Sequence, residues 1–447
     1  MKSYLLTILF AGIAGASLAA DADIVINPGR ISFDTQAAIQ RLPDGDEWAV
    51  WKAYHKSKER VLVRKIVAGE NGRVGRPIEL TARPTIVDQP RLFASANGEH
   101  LWAFWSERTG NRWRVVGRQF RGGQWQPSHS PSHPKVDAIK PSAVVLDDGT
   151  VVLGWHQFEA GKPAQVKLKR TAGSQWHDLK DPGAPEHDAF RVELLVANGS
   201  VWAFWDRYSE LRNAVLGRRV FPSAGPLERV SPATPNTERC LKPVPMLSAT
   251  EGICVGWLKL TDVIGGDGVI DMFHTAHVSR RQNGKWKMVT DGKGDPAGAV
   301  MMNGLLPDLR KGRGYPSGYI GKRRHPMLVD GEDGAWLVWE RKSVHGGGGT
   351  KTKGQFLARP FAGGRWGDTV QVYDKLIDYQ VAKPGKVRGG KLLLSGSQLP
   401  RGWMRPYHRA EVDLTSGRPF NGDDWRDQFQ VAELPKLSES PRHSIEA

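Results

Sequence analysis

Six times along the chain an apolar-x-x-Trp tetrad returns, and its period constrains the fold more than any single motif. The copies are Trp48-Ala49-Val50-Trp51, Trp102-Ala103-Phe104-Trp105, Val152-Leu153-Gly154-Trp155, Trp202-Ala203-Phe204-Trp205, Cys254-Val255-Gly256-Trp257 and Trp336-Leu337-Val338-Trp339. The closing tryptophans recur at a nearly constant interval, except that the step from Trp257 to Trp339 is more than half as long again. A degraded copy, Leu392-Leu393-Leu394-Ser395, follows Trp339 at close to the ordinary interval. Short apolar runs that repeat at this period between Gly-rich turns are the pattern of β-propeller blades, small sheets that bury their faces only against neighbours. Seven copies predict an all-β, seven-bladed propeller of four-stranded antiparallel blades.

Each copy has the same grammar. A first strand opens near a proline, as in Pro90-Arg91-Leu92-Phe93, Pro141-Ser142-Ala143-Val144, Pro243-Val244-Pro245-Met246 and Pro326-Met327-Leu328-Val329. A tight turn leads to the Trp strand, and a polar loop leads to a third strand rich in Val and Arg. A Gly turn and an apolar residue then mark the fourth strand: Gly123-Gln124-Trp125, Ser174-Gln175-Trp176, Gly284-Lys285-Trp286 and Gly364-Arg365-Trp366. Gly72-Arg73-Val74, Gly225-Pro226-Leu227 and Gly417-Arg418-Pro419-Phe420 are weaker members of the series. Such turn chemistry suits antiparallel hairpins. The tryptophans are assigned to the wedge between blades, where flat side chains at a repeated depth fill space. Ile24-Val25-Ile26 is expected to add a strand to the last blade and close the ring, removing the free edge.

The long step from Trp257 to Trp339 implies an insertion between blades five and six, part of it the loop Thr261 to Gly268 and most of it Asp291 to Arg324. A glycine run, Gly346 to Gly349, follows Trp339. Long loops in compact domains are commonly functional.

The segment from Met1 to Ala20 places Lys2 ahead of an apolar run and ends in Ala19-Ala20, the pattern of a signal peptide. Residues 21–447 are therefore expected as one secreted or periplasmic propeller domain. No later stretch is apolar enough for a membrane span. Lys and Arg number 63 against 47 Asp and Glu, a formal net charge of +16. That balance favours anionic partners; because the charge is scattered rather than gathered in an arm, nucleic acid is not expected. A monomer is expected. Hairpin geometry sets Cys240 too far from Cys254 for a disulfide, so both are read as free thiols, with Cys254 in the core.

Antiparallel first and second strands bring residues before the first-strand proline and after the second-strand Trp to one mouth of the channel. That ring includes His55, Asp88, Lys140, His156, His187, Arg191, Asp206, Arg207, Tyr208, Lys242 and Arg324, joined by His274 at the start of a third strand. Arg offers a bidentate fork to carboxylate or sulfate, His titrates near neutrality, and Tyr can protonate a leaving oxygen. Together they suit β-elimination on a uronic polysaccharide. His156 or His274 is the candidate base and Tyr208 the candidate acid. Arg191 is the carboxylate clamp, with Arg207, Arg324, His55 and His187 as further substrate contacts. His274 and His277 point to opposite faces of a strand, and Asp262 to Asp271 lacks calcium-loop spacing, so neither a metal nor another cofactor is expected.

The repeat resembles the sialidase-like (BNR-repeat) propeller superfamily over nearly the whole mature chain. At the turn between strands three and four that family carries Ser-x-Asp-x-Gly-x-x-Trp. Here Arg121-Gly122-Gly123-Gln124-Trp125 and Ala362-Gly363-Gly364-Arg365-Trp366 keep the Gly and Trp without the Ser and Asp. Phe190-Arg191-Val192-Glu193 is faintly similar to the sialidase Phe-Arg-Ile-Pro motif. More distantly the chain resembles seven-bladed propeller polysaccharide lyases, which implies lyase activity on an acidic glycan. A glycoside hydrolase and a non-catalytic propeller that binds glycan or protein remain the alternatives.

Overall fold

The computed structural model describes residues 24–26, 35–55, 58–67, 73–183, 185–209, 212–233, 238–264, 270–290, 300–301, 326–345, 351–373, 376–398 and 407–419. They form seven antiparallel sheets in chain order, without a helix. Blade one runs from Thr35–Arg41 to Ile78–Glu79, blade two from Val87–Ala94 to Gln124–Trp125, and blade three from Asp137–Val145 to Gln175–Asp178. Blade four spans Asp188–Ala197 to Glu228–Arg229, and blade five Glu238–Ser248 to Lys285–Met288. Blade six is built on Met327–Asp330, Ala335–His345 and Lys351–Ala362, and blade seven on Leu376–Val381, Lys391–Gln398 and Tyr407–Asp413.

The degraded repeat is thus a real blade. Its fourth strand is Ile24–Val25, pairing Ile24 with Arg409 and Val25 with His408, as the closure expectation required. One assignment is corrected. Gly417-Arg418-Pro419-Phe420 is not a fourth strand of blade seven, because Arg418–Pro419 pairs with Val370–Tyr373 on the outer edge of blade six. The N-terminal strand already holds the place it would need.

The apolar core is divided into seven layers, one at every joint between neighbouring blades. Trp51, Trp105, Trp155, Trp205, Trp257 and Trp339 are fully buried, each in the joint with the preceding blade. At the joint of blades six and seven Ser395 stands at the Trp position, and buried Phe356 takes part in the packing instead. Cys240 and Cys254 are both free and buried, but they belong to the layers on opposite sides of blade five. Cys254 pairs with Met246 and Cys240 with Lys259, which keeps them apart along the hairpin.

Volume is balanced across strands two and three. Phe104 faces Gly117, Gly154 faces Leu168, Phe204 faces Gly217 and Gly256 faces Val278, so in these four blades a large residue on one strand meets a glycine on the other. A Cβ on Gly117 would lie 2.3 Å from a ring carbon of Phe104, which is itself fully buried and stacked on Trp102. Neither ring can yield cheaply. Gly117→Ala is therefore expected to cost about 1–3 kcal/mol through overpacking, read as a lower denaturant midpoint. Phe104→Leu in the same chain should recover part of that loss; an additive double mutant would refute the clash.

The hairpins of blades five and six are longer than the others. Blade five's runs through Gly252–Ile264 and Ile270–Gln282, so much of the expected loop from Thr261 is strand, and His274 lies inside the third strand opposite Leu260 rather than at its start. Of the insertion, Val300–Met301 pairs with Thr275 and Ala276; the remainder of Asp291 to Arg324, from 291 to 299 and 302 to 324, lies outside the described residues.

Candidate functional site

The mouth is built by a repeated backbone irregularity. The first strands of blades one to five each carry a β-bulge, and one residue in each bulge is left-handed: Gln36 (φ 57°), Gln89 (49°), Lys140 (58°), Arg191 (53°) and Lys242 (60°). Non-glycine residues seldom adopt this region, and such conformations persist where surrounding structure holds them. A bulge re-aims a side chain that regular pleating would send elsewhere. Here it gives five successive blades equivalent residues, and three adjacent ones are cationic: Lys140, Arg191 and Lys242.

The support comes from the preceding blade, through the residue after its Trp. Ser106 Oγ accepts the Lys140 N–H at 2.9 Å. His156 Nε2 accepts the Val192 N–H at 3.1 Å, and its Nδ1 lies 3.4 Å from the Arg191 nitrogen. Asp206 accepts the backbone N–H of Lys242. In blade one the work falls to a bulge residue itself, since Gln36 Oε1 accepts the Gln89 N–H at 2.7 Å while its Nε2 donates to Asp88.

Asp206 also fixes a side chain. Arg191 Nε donates to Oδ1 at 2.7 Å and Nη2 to Oδ2, so the guanidinium is held bidentate by a fully buried carboxylate. Burial pushes the Asp206 carboxyl up, against the pull of Arg191 and the Lys242 N–H. Lys242 is pushed down to about 8, first by burial and then by the charges of Arg191 and Lys140, with Asp206 opposing. His156 is pushed down to about 3 by burial, helped by Lys140 and Arg191, so it is neutral at physiological pH.

Below the bulges, a polar bridge spans blade three. Arg91 of blade two donates two bonds of 2.9 Å to Glu193 of blade four, and Ser142 between them donates to Glu193 at 3.0 Å. Lys383 is exposed beside this cluster; desolvation and then the Arg91 charge lower its pKa while Glu193 opposes. This cluster floors the mouth.

Of the residues singled out in the sequence, the structure joins Arg191 and His156. Their partners differ from expectation, because the imidazole meets backbone N–H groups inside the wall. Arg207 and Tyr208 follow Asp206 on the same strand, half-buried, opposite Ala189 and Asp188; the buried Arg207 Nε has no hydrogen-bond partner among the described residues. His187 is half-buried just before the first strand of blade four. His55 ends a strand opposite Lys58 and His274 pairs with Leu260, but the side chains of both lie outside the described residues, as does all of Arg324. Sequence reasoning put Lys140 and Lys242 on the ring but gave them no role. Their signal was present: Gln89, Lys140, Arg191 and Lys242 recur at one constant interval, three of them directly before a proline.

The sequence matches no family profile and no curated protein. Solved structures that share the fold include two lyases. A polysaccharide lyase described as Uly1 superposes with a TM-score of 0.57 at 10% identity, covering 88% of this chain and 99% of its own. An ulvan lyase of family PL25, bound to -[GlcA(1-4)Rha3S]-, gives 0.50 at 8% identity, covering 87% and 94%. The chain is thus a seven-bladed propeller of the architecture that these two lyases share.

Proposed function

We propose that the mouth binds an acidic polysaccharide, uronic or sulfated, and cleaves it at its uronate residues by β-elimination. The observation that carries this reading is the arc of Lys140, Arg191 and Lys242, set on left-handed bulges of three successive blades. Three cations on neighbouring blades, near enough for Lys140 and Arg191 to act on Lys242, favour a ligand with repeated negative charge. The shared fold with two polysaccharide lyases supports a carbohydrate as that ligand.

Arg191 is the clamp. Asp206 occupies Nε and one Nη2 hydrogen, which leaves Nη1 for a uronate carboxylate. Neutralising that carboxylate acidifies the hydrogen on the neighbouring carbon and stabilises the enolate that forms when it leaves. Tyr208, one strand position past Arg207, is the acid for the departing oxygen. His156 is a positioning residue in this scheme: its lone pair is engaged by the Val192 N–H, and a neutral imidazole accepts at only one nitrogen. The protein should therefore be exported to meet its polymer, in keeping with the leader-like segment from Met1 to Ala20.

The test is a screen of purified protein against ulvan, pectin, alginate and glycosaminoglycans, following the ultraviolet absorbance of unsaturated uronate ends. Absorbance gain on at least one polymer supports the lyase. New reducing ends without that absorbance would make the protein a hydrolase, and affinity without any cleavage would make it a binding propeller.

A further inference from the structure

Lys242 is the mouth residue with the strongest reason to act on a proton. Its backbone N–H and the Arg191 guanidinium are bound to the same Asp206 carboxylate, so one buried group fixes the relative placement of the two. Its bulge conformation turns it out of the regular pleat. In a uronate the hydrogen to be removed sits on the carbon that bears the carboxylate. A base must consequently stand beside the group that clamps the carboxylate, which His156, sealed behind the Arg191 backbone, does not.

We propose that Lys242 is the general base of the β-elimination, with Arg191 as its paired clamp; the assignment rests on the lyase reading above. The charged groups that act on the ammonium are Arg191 and Asp206 from blade four and Lys140 from blade three. Burial lowers the pKa most, the two cations add to it and Asp206 opposes, which places it at about 8 and leaves a usable fraction of neutral amine near neutrality. A catalytic base is most effective with a pKa near the working pH. Lys242 Nζ takes the proton from the carbon next to the carboxylate. The C–H electron pair becomes the new carbon–carbon double bond through an enolate held by Arg191, and the bond from the adjacent carbon to the glycosidic oxygen breaks. Tyr208 protonates that oxygen, so one product carries an unsaturated uronate end and the other a new reducing end. Return of the Lys242 proton to the tyrosinate through water restores both groups.

The experiment uses the full chain and Lys242→Arg, which keeps the positive charge but cannot lose it in the accessible pH range. On whichever of ulvan, pectin, alginate or glycosaminoglycan is cleaved, kcat should fall by roughly 10²- to 10⁴-fold. The native kcat/KM should rise with pH and level off above about 8, as Lys242 loses its proton. The variant should lose that rise. Independently of turnover, reductive methylation with ¹³C-formaldehyde followed by a pH titration of the NMR signals should show one lysine, absent in Lys242→Arg, with a midpoint near 8. Cleavage by Lys242→Arg at the native rate would overturn the assignment while leaving the lyase reading intact. A Lys242 midpoint in the ordinary lysine range would overturn it too. Absence of unsaturated ends on every polymer would overturn the lyase reading and the base with it, even where the titration midpoint is low.

Discussion

Glu47→Ala is expected to lower the free energy of unfolding by about 3–5 kcal/mol, the usual consequence of removing one partner from a buried charge cluster. Glu47 is 3% exposed and receives Arg41 through two bonds to Oε1 and Arg409 through one bond to each oxygen. Both arginines also reach Glu411. Arg41 and Glu47 belong to blade one, whereas Arg409 and Glu411 belong to blade seven, so the cluster spans the point where the ring closes. The closing strand Ile24–Val25 is only two residues long, and it pairs with the strand that carries Arg409. Loss of Glu47 leaves both guanidinium groups to share the single Glu411 carboxylate and loosens the seam at which the ring closes. Equilibrium denaturation measures the effect. The exposed pair Lys162–Glu159 provides the control, since Glu159→Ala should shift stability by no more than about 0.5 kcal/mol. An unfolding midpoint for Glu47→Ala equal to that of Glu159→Ala would refute the seam.

The same cluster sets an acid limit. Burial tends to raise the Glu411 pKa, but the Arg41 bond and the Arg409 charge outweigh it and hold the carboxyl below its ordinary value. Its folded pKa is thus lower than its unfolded one, so its contribution is complete above the ordinary carboxylate range and is lost as pH falls through that range toward the folded value.

The ring was legible in sequence because tryptophan is costly to misplace. Six tetrads, at a nearly constant interval except for the step from Trp257 to Trp339, record where six interblade layers must be filled, and the Phe–Gly, Gly–Leu alternation across strands two and three records the same volume constraint. Blade seven could be counted because strand periodicity survives after the Trp is replaced by Ser395. The site was less legible, for a reason that lies in the backbone. Polar residues near the mouth were many, and nothing in their types separates a side chain aimed at the opening from one folded under a neighbouring strand. His156 and Asp206 both follow a blade's Trp, and both prove to be wall residues that hold the next bulge. Lys140 and Lys242 prove to be the residues held. The distinction depends on a left-handed residue at the bulge, a conformation that Gln, Lys and Arg adopt here without any glycine to announce it. Only the constant interval from Gln89 to Lys242 and the prolines that follow carried a trace of it.

Arg191→Gln is expected to reduce kcat on the cleaved polymer by about 10²- to 10³-fold, the typical loss when one preorganised donor to a developing negative charge is removed. Glutamine is the informative replacement because Gln36 and Gln89 already occupy the equivalent bulge in blades one and two with the same left-handed backbone. The variant should therefore keep its blade geometry, while the carboxylate clamp is lost. Asp206 then keeps only backbone donors, the N–H groups of Lys242 and of Asp206 itself, against the burial that raises its pKa, and it is expected to bind a proton instead of remaining a buried anion without a cation. Lys140→Gln makes the contrast. Lys140 lies one blade away from the Asp206–Arg191 pair, and its removal should weaken polymer binding, seen as a higher KM and a shallower salt dependence, with a smaller effect on kcat. Comparing kcat and KM for the two variants at several ionic strengths separates charge attraction from stabilisation of the enolate. If Arg191→Gln raised KM and left kcat untouched, Arg191 would be one more cation of the binding arc, and the clamp would have to be sought elsewhere around the mouth.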